Sequence, residues 1–138
     1  MSFDAIQPGL KGQVRLVVAE EHTAQHLGSG AVQVLATPQM VLLMERAGVA
    51  AVDPLLPPGY RTVGAHLDVR HLAPTPIGFE VEANAELIEV DGRRLTFRVW
   101  VHDGVETVGE GTHQRVIINV EKFSERVAQK AGKSTPGR

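Results

Sequence analysis

The chain contains no cysteine. That excludes a disulfide framework, a thiolate zinc site and a cysteine nucleophile, and a reducing cytoplasm is the expected compartment. It also lacks a surplus of positive charge: 14 Lys and Arg stand against 16 Asp and Glu, so 14 − 16 leaves a net charge of −2. No dense basic cluster occurs, which argues against a nucleic-acid partner, since neutralising phosphates needs Lys and Arg gathered on one face. Nowhere do about 18 apolar residues run together, and the opening MSFDAIQPGL has no basic segment followed by an apolar one, so neither a membrane span nor a secretory signal is expected. Metal is not expected either: His22 and His26 have helical spacing but no third ligand. Gly28-Ser29-Gly30 is not followed by the Gly-Lys-Ser or Gly-Lys-Thr of a phosphate loop, so no nucleotide cofactor is implied. Linkers, repeats and low-complexity runs are missing too. The 138 residues are therefore read as a single domain, 1–138, with an ordered core over about 10–130 and both ends expected to fray.

What is present is an ordinary globular composition, 43% hydrophobic and 22% charged, in a chain long enough to bury roughly two-thirds of its extended surface. A first strand is expected over Gln13 to Val18, followed by a polar loop through Glu20 to Gln25, Gly28 and Gly30. From Pro38 to about Asp53, Met40, Leu43, Met44, Ala47 and Ala50 or Ala51 recur at helical spacing, and Val41, Leu42, Val49 and Val52 extend the apolar surface almost all round. Such a helix needs burial on most sides. Thr37 is placed to cap it and Pro38 to begin it, and Pro57, Pro58 and Gly59 break the chain shortly after its end.

The second half alternates with the period of a strand. Val63, Ala65, Leu67 and Val69 fall on one face, with Gly64, His66, Asp68 and Arg70 on the other. After the turn at Pro74 to Gly78, Phe79, Val81, Ala83, Ala85 and Leu87 point inward, and the change of phase at Ile88 and Val90 marks a bulge. Asp91-Gly92 and Asp103-Gly104 are hairpin signals flanking Leu95, Phe97, Val99 and Val101. Thr107 to Val120 supplies a last long strand, and Glu121 to Lys130 a short helix with Phe123 and Val127 on one side. One greasy helix and about five antiparallel strands make an α+β layer. The helix needs more cover than a flat sheet gives, so a wrapped sheet or a subunit partner is expected, which is the hotdog fold.

Several of these segments carry a resemblance: Leu35 to Glu45 (LATPQMVLLME), Val63-Gly64, Val69-Arg70-His71, Asp91 to Leu95, His102 to Val105 and Gly109 to Arg115. Together they resemble the hotdog-fold acyl-CoA thioesterases similar to fluoroacetyl-CoA thioesterase, over about residues 12–127. The resemblance implies hydrolysis of an acyl-CoA thioester, with no cofactor beyond the coenzyme A of the substrate. It implies a homodimer joined edge to edge along its sheets, with active sites at the subunit interface. It matches the family's Thr, Glu and His triad to Thr37, Glu45 and His71, its active-site glycine to Gly64, and an arginine near the acyl pocket to Arg115. One departure stands out. The fluoroacetyl-specialised enzyme closes its pocket with an aromatic residue just before the helix, whereas Gly30-Ala31-Val32-Gln33 here holds none.

Thioester hydrolysis needs a nucleophile at the carbonyl, a proton acceptor and donors for the oxyanion. A histidine titrates near neutrality, so His71 suits the acid and base roles, while Glu45 can orient it or attack by itself, and Thr37 can attack or hold a water. Each residue also has a plainer reading. Thr37 would serve as a helix cap, Glu45 as a partner of Arg46 or a solvated charge, and His71 as a core histidine bonded to backbone. Gly64 makes room for a ligand or for a neighbouring backbone, and Arg115 binds an acyl carboxylate or a phosphate or is simply exposed. The expected function is hydrolysis of a small or short acyl-CoA. The alternative is a non-catalytic acyl-CoA-binding or sensing protein with the same pocket. A hotdog hydratase ranks last, because no Asp and His pair precedes the central helix.

Overall fold

The computed structural model describes residues 2–133. Its elements are β1 (Lys11–Val17), α1 (Ala24–Leu27), α2 (Thr37–Val52), β2 (Tyr60–His71), β3 (Glu80–Asp91), β4 (Arg94–His102), β5 (Thr107–Asn119) and α3 (Val120–Gly132). The five strands form one antiparallel sheet in the order β1-β3-β4-β5-β2, and every strand touches α2. This is the expected α+β arrangement of a sheet curled round one central helix.

Helix α2 buries a regular stripe, Met40, Leu43, Met44, Ala47, Gly48, Ala51 and Val52, against the inner face of the sheet. That face is lined by Val81, Ala83, Ala85 and Leu87 of β3 and by Leu95, Phe97, Val99 and Val101 of β4, all fully buried. The alternation of these strands is what places them there, because successive residues point to opposite faces. Where β1 crosses α2 the backbones nearly touch at Gly12, and a Cβ there would collide with the backbone of Ala47 and Ala51. The stripe does not extend all round the helix, however. Val41 and Val49 are half-buried, and Leu42 is 45% exposed.

The bulge expected after Leu87 is present, as a register shift between Leu87 and Glu89 against β4. A second, at Gly64/His66 against β5, leaves Ala65 unpaired. This one reverses the predicted faces of half a strand. Before it, Tyr60, Thr62 and Gly64 point inward, opposite Asn119, Ile117 and Arg115; after it, Leu67, Val69 and His71 do so. Gly64 therefore faces the interior rather than sharing the outer face with His66 and Asp68.

Three other expectations are corrected. The stretch from Glu20 to Gln25 is a 3-10 turn, Glu20–His22, leading into α1, with the Thr23 hydroxyl accepting from the His26 N–H at 3.2 Å. The N-terminal segment, expected to fray, packs on the fold at two of its described residues: Ile6 is buried and the Phe3 ring meets Tyr60 edge-on at 5.2 Å. Its hydrophobic side chains outweigh the loosening effect of Pro8 and Gly9. Helix α2 starts one residue early. Ala36 occupies the cap position, no side chain caps the helix, and Thr37 is already helical. At the other end, α3 buries none of its residues, and residues 134–138, within the expected fraying tail, lie outside the described range.

Candidate active site

The segment leading into α2 is pinned on both sides. Leu35 N–H donates to the Thr75 carbonyl at 2.8 Å and Ala36 N–H to the His22 carbonyl at 2.9 Å. Thr75 is itself buried, its hydroxyl donating to Asp103 Oδ2 at 3.1 Å. These anchors place Thr37 at the end of β2, where its Oγ1 lies 2.7 Å from His71 Nδ1. The threonine hydroxyl thus bonds an imidazole 34 residues away and not its own helix. His71 Nε2 is buried and has no hydrogen-bond partner among the described residues. Burial lowers the His71 pKa below its ordinary 6.5, with the backbone of Ala73 opposing. A neutral ring at neutral pH leaves one nitrogen free to accept a proton.

The pair lines an open cavity of about 370 Å³ together with Gly30, Val32, Leu72 and Ala73. The loop before α2, where the aromatic residue is missing, therefore forms its rim. A second cavity of similar volume, about 370 Å³, lies on the outer face of the sheet among Asp68, Arg70, Arg98 and Glu110 and holds none of the predicted site residues.

Glu45 lies eight residues further along α2, about 12 Å up the helix axis. Its carboxylate ends beside Gly64 and Arg115: Oε2 is 3.7 Å from Arg115 Nη1, and a Cβ on Gly64 would come within 2.9 Å of the same oxygen. Arg115 is almost completely buried, whereas the Glu45 side chain keeps 35% of its surface exposed. The plainer readings of Arg115 as an exposed strand residue and of Glu45 as a partner of Arg46 do not describe this geometry. Burial pulls the guanidinium pKa down, opposed first by the charge of Asp53 and then by that of Glu45. Within one chain, then, the five predicted residues form two groups: Thr37 with His71, and Glu45 with Gly64 and Arg115.

The fluoroacetyl-CoA-specific thioesterase family, FlK, matches residues 18–121. The chain belongs to that family. A curated member, the fluoroacetyl-CoA thioesterase of Streptantibioticus cattleyicolor, is 50% identical over 98 residues, covering 71% of this chain and 70% of the relative. A structure of an FlK variant in complex with acetyl-CoA superposes with a TM-score of 0.85 at 41% identity, over 91% of this chain and 99% of that one. A thioesterase-superfamily member of Thermus thermophilus gives 0.84 at 28% identity, over 94% and 98%. A hot-dog-like protein of Thermanaerovibrio acidaminovorans gives 0.86 at 23%, over 95% and 98%, a likeness of fold.

Three further residues of this FlK-family chain were not singled out from the sequence: His113, Thr62 and Asp53, all grouped around Arg115. His113 and Arg115 alternate with the buried Ile117 on β5, so parity alone would have drawn them inward. Thr62 was hidden because unbroken alternation, without the bulge, puts it on the same face as His66 and Asp68.

Proposed function

We propose that the protein hydrolyses a small acyl-CoA thioester, with Thr37 and His71 delivering the nucleophile. The carrying observation is the 2.7 Å contact between Thr37 Oγ1 and His71 Nδ1 at the mouth of a cavity, in a chain of the fluoroacetyl-CoA-specific thioesterase family. A hydroxyl bonded to a neutral imidazole is the arrangement that activates an oxygen nucleophile. The attacking oxygen, that of Thr37 or of a water it holds, bonds to the thioester carbon while its proton passes to His71. The C–S bond then breaks, and the departing sulfur takes that proton to leave as coenzyme A thiol. Attack by water gives the free acid directly, whereas attack by Thr37 leaves an acyl-threonine ester that a water, passing a proton to His71, then cleaves to the free acid as the proton returns to the Thr37 oxygen. No cofactor enters these steps. The curated FlK relative is named for fluoroacetyl-CoA and a solved one holds acetyl-CoA, which supports a two-carbon acyl group as the first to try.

Glu45 is proposed to join them from a second subunit. Strand β2 is a 12-residue edge of the sheet, and Ala65 and Leu67 on it are exposed, as is Leu42 of α2. A long bare edge of this kind is a template for pairing, and two-fold pairing is the commonest solution. Antiparallel pairing about its middle, near Leu67 and Asp68, sets His71 beside the partner subunit's Gly64, where the partner subunit's Glu45 ends. There a carboxylate can orient the imidazole, or attack the acyl carbon and expel the coenzyme A thiolate to give an anhydride that water then hydrolyses.

The test is thiol release from a panel of short acyl-CoA esters. Wild type is expected to turn over at least one ester, with His71→Ala and Glu45→Ala slower by about two orders of magnitude or more, as for loss of a general base. Tight binding without turnover would instead select the acyl-CoA-sensing reading. Mass spectrometry of the quenched enzyme separates attack by a side chain, which leaves an acylated Thr37 or Glu45, from attack by water.

A further inference from the structure

Behind Glu45 lies a chain of polar groups, buried at His113, Arg115 and Thr62 and half-buried at Asp53, with no part in the steps above. His113 is fully buried and its ring stacks on Phe97, with centroids 6.3 Å apart. Its Nδ1 is 2.8 Å from the His66 carbonyl and its Nε2 is 3.1 Å from Arg115 Nη1. A carbonyl only accepts and a guanidinium only donates, so the proton must sit on Nδ1 and the lone pair on Nε2. Arg115 Nε donates to Thr62 Oγ1 at 2.8 Å and Nη2 to the Thr62 carbonyl at 3.1 Å. The Thr62 hydroxyl in turn donates to Asp53 Oδ1, while Asp53 Oδ2 accepts from the Thr62 N–H at 3.1 Å.

All three guanidinium nitrogens are thereby held, and Nη1, shared with His113, is the one that faces Glu45. Two glycines keep the space open. A Cβ on Gly48 would lie 3.2 Å from Arg115 Cδ, and one on Gly64 would lie 3.5 Å from both Arg115 Nη1 and His113 Cε1. A buried arginine needs partners, and Thr62, Asp53 and Glu45 already supply them. What His113 adds is a direction: an uncharged acceptor that fixes where Nη1 points.

We propose that His113, backed by Thr62 and Asp53, is a positioning residue for thioester hydrolysis, holding Arg115 as a neutral imidazole so that Nη1 keeps the Glu45 carboxylate beside Gly64. The inference rests on the reading that Glu45 takes part in the reaction. Burial, and after it the charges of Arg115 and His66, press the His113 pKa downward, against the His66 backbone bond and Glu45, so the neutral form dominates at pH 7.

The experiment compares His113→Leu with His113→Gln, whose side-chain oxygen can take the place of Nε2, in the full-length protein on the best substrate of the panel. His113→Leu is expected to lower kcat by about one to two orders of magnitude with KM within about twofold, the effect of losing an orienting partner. His113→Gln is expected to recover most of that loss. Equal kcat in wild type and His113→Leu, or an equal fall in both variants, would overturn the proposal. Should His113→Leu not fold, Thr62→Val against Thr62→Ser puts the same question, with kcat falling in Val and recovering in Ser. Nitrogen NMR of imidazole-labelled wild type should find His113 protonated on Nδ1, and protonation on Nε2 overturns the proposal. Absence of thiol release from wild type would defeat the thioesterase reading and not this arrangement, which the NMR measurement still decides.

Discussion

Gly64 has no side chain, and the space it leaves is where Glu45 ends. A methyl group in that position would stand 2.9 Å from Oε2, the far end of a flexible side chain, so the carboxylate would swing away at little cost to the fold. Gly64→Ala is therefore expected to lower kcat/KM by about tenfold to a hundredfold, as misplacement of a catalytic group does, while stability changes by less than about 1 kcal/mol. Activity assays beside urea unfolding will show whether the two effects separate. The histidines add a pH dependence. Burial holds both His71 and His113 below 6.5, so the unfolded chain takes up protons that the folded protein refuses. The stability they contribute is complete above pH 6.5 and is lost as pH falls through their lowered values. The urea midpoint should drop between about pH 7 and about pH 5, and less so in a His113→Gln variant.

At the scale of elements, much was legible. The stripe from Met40 to Val52, the alternation of β3 and β4, the hairpin at Asp91-Gly92 and the bulge after Leu87 stem from periodicity and turn chemistry, because both are local. The bulge at Ala65 was not legible. Val63, Ala65, Leu67 and Val69 alternate without interruption, and only pairing with β5 shows that one residue is left over. A slip of one residue exchanges the two faces of a strand, so this single bulge decided that Thr62 and Gly64 lie on the helix side of the sheet. The approach of β1 to α2 is equally a matter of contact. Gly12→Val forces its side chain into the helix backbone at Ala47 and Ala51 and is expected to cost about 1–3 kcal/mol, read as a lower urea midpoint with an unchanged slope.

At the scale of the molecule, the two edges of the sheet differ. The β1 edge has its inner face closed against α2, whereas β2 leaves Ala65 and Leu67 bare and separates Glu45 from Thr37 and His71 within one chain. Leu67→Glu places a charge on that bare face. It should convert a two-subunit species to monomers in sedimentation velocity and abolish turnover with it. A wild-type protein that sediments as a fully active monomer would remove the shared site from the mechanism.

The sequence by itself determined the central helix, the five strands and the residue types from which a site is built, since helical and strand periods, turns and the Thr, Glu and His pattern are written in short stretches of chain. Only the tertiary structure decided that the Thr37 hydroxyl turns to His71 instead of capping its helix, that Gly64 faces inward, and that His113 and Thr62 brace a buried arginine. Each of these depends on strand register and on distances between segments far apart in sequence, which are set by packing of the sheet on α2 and not by any local preference.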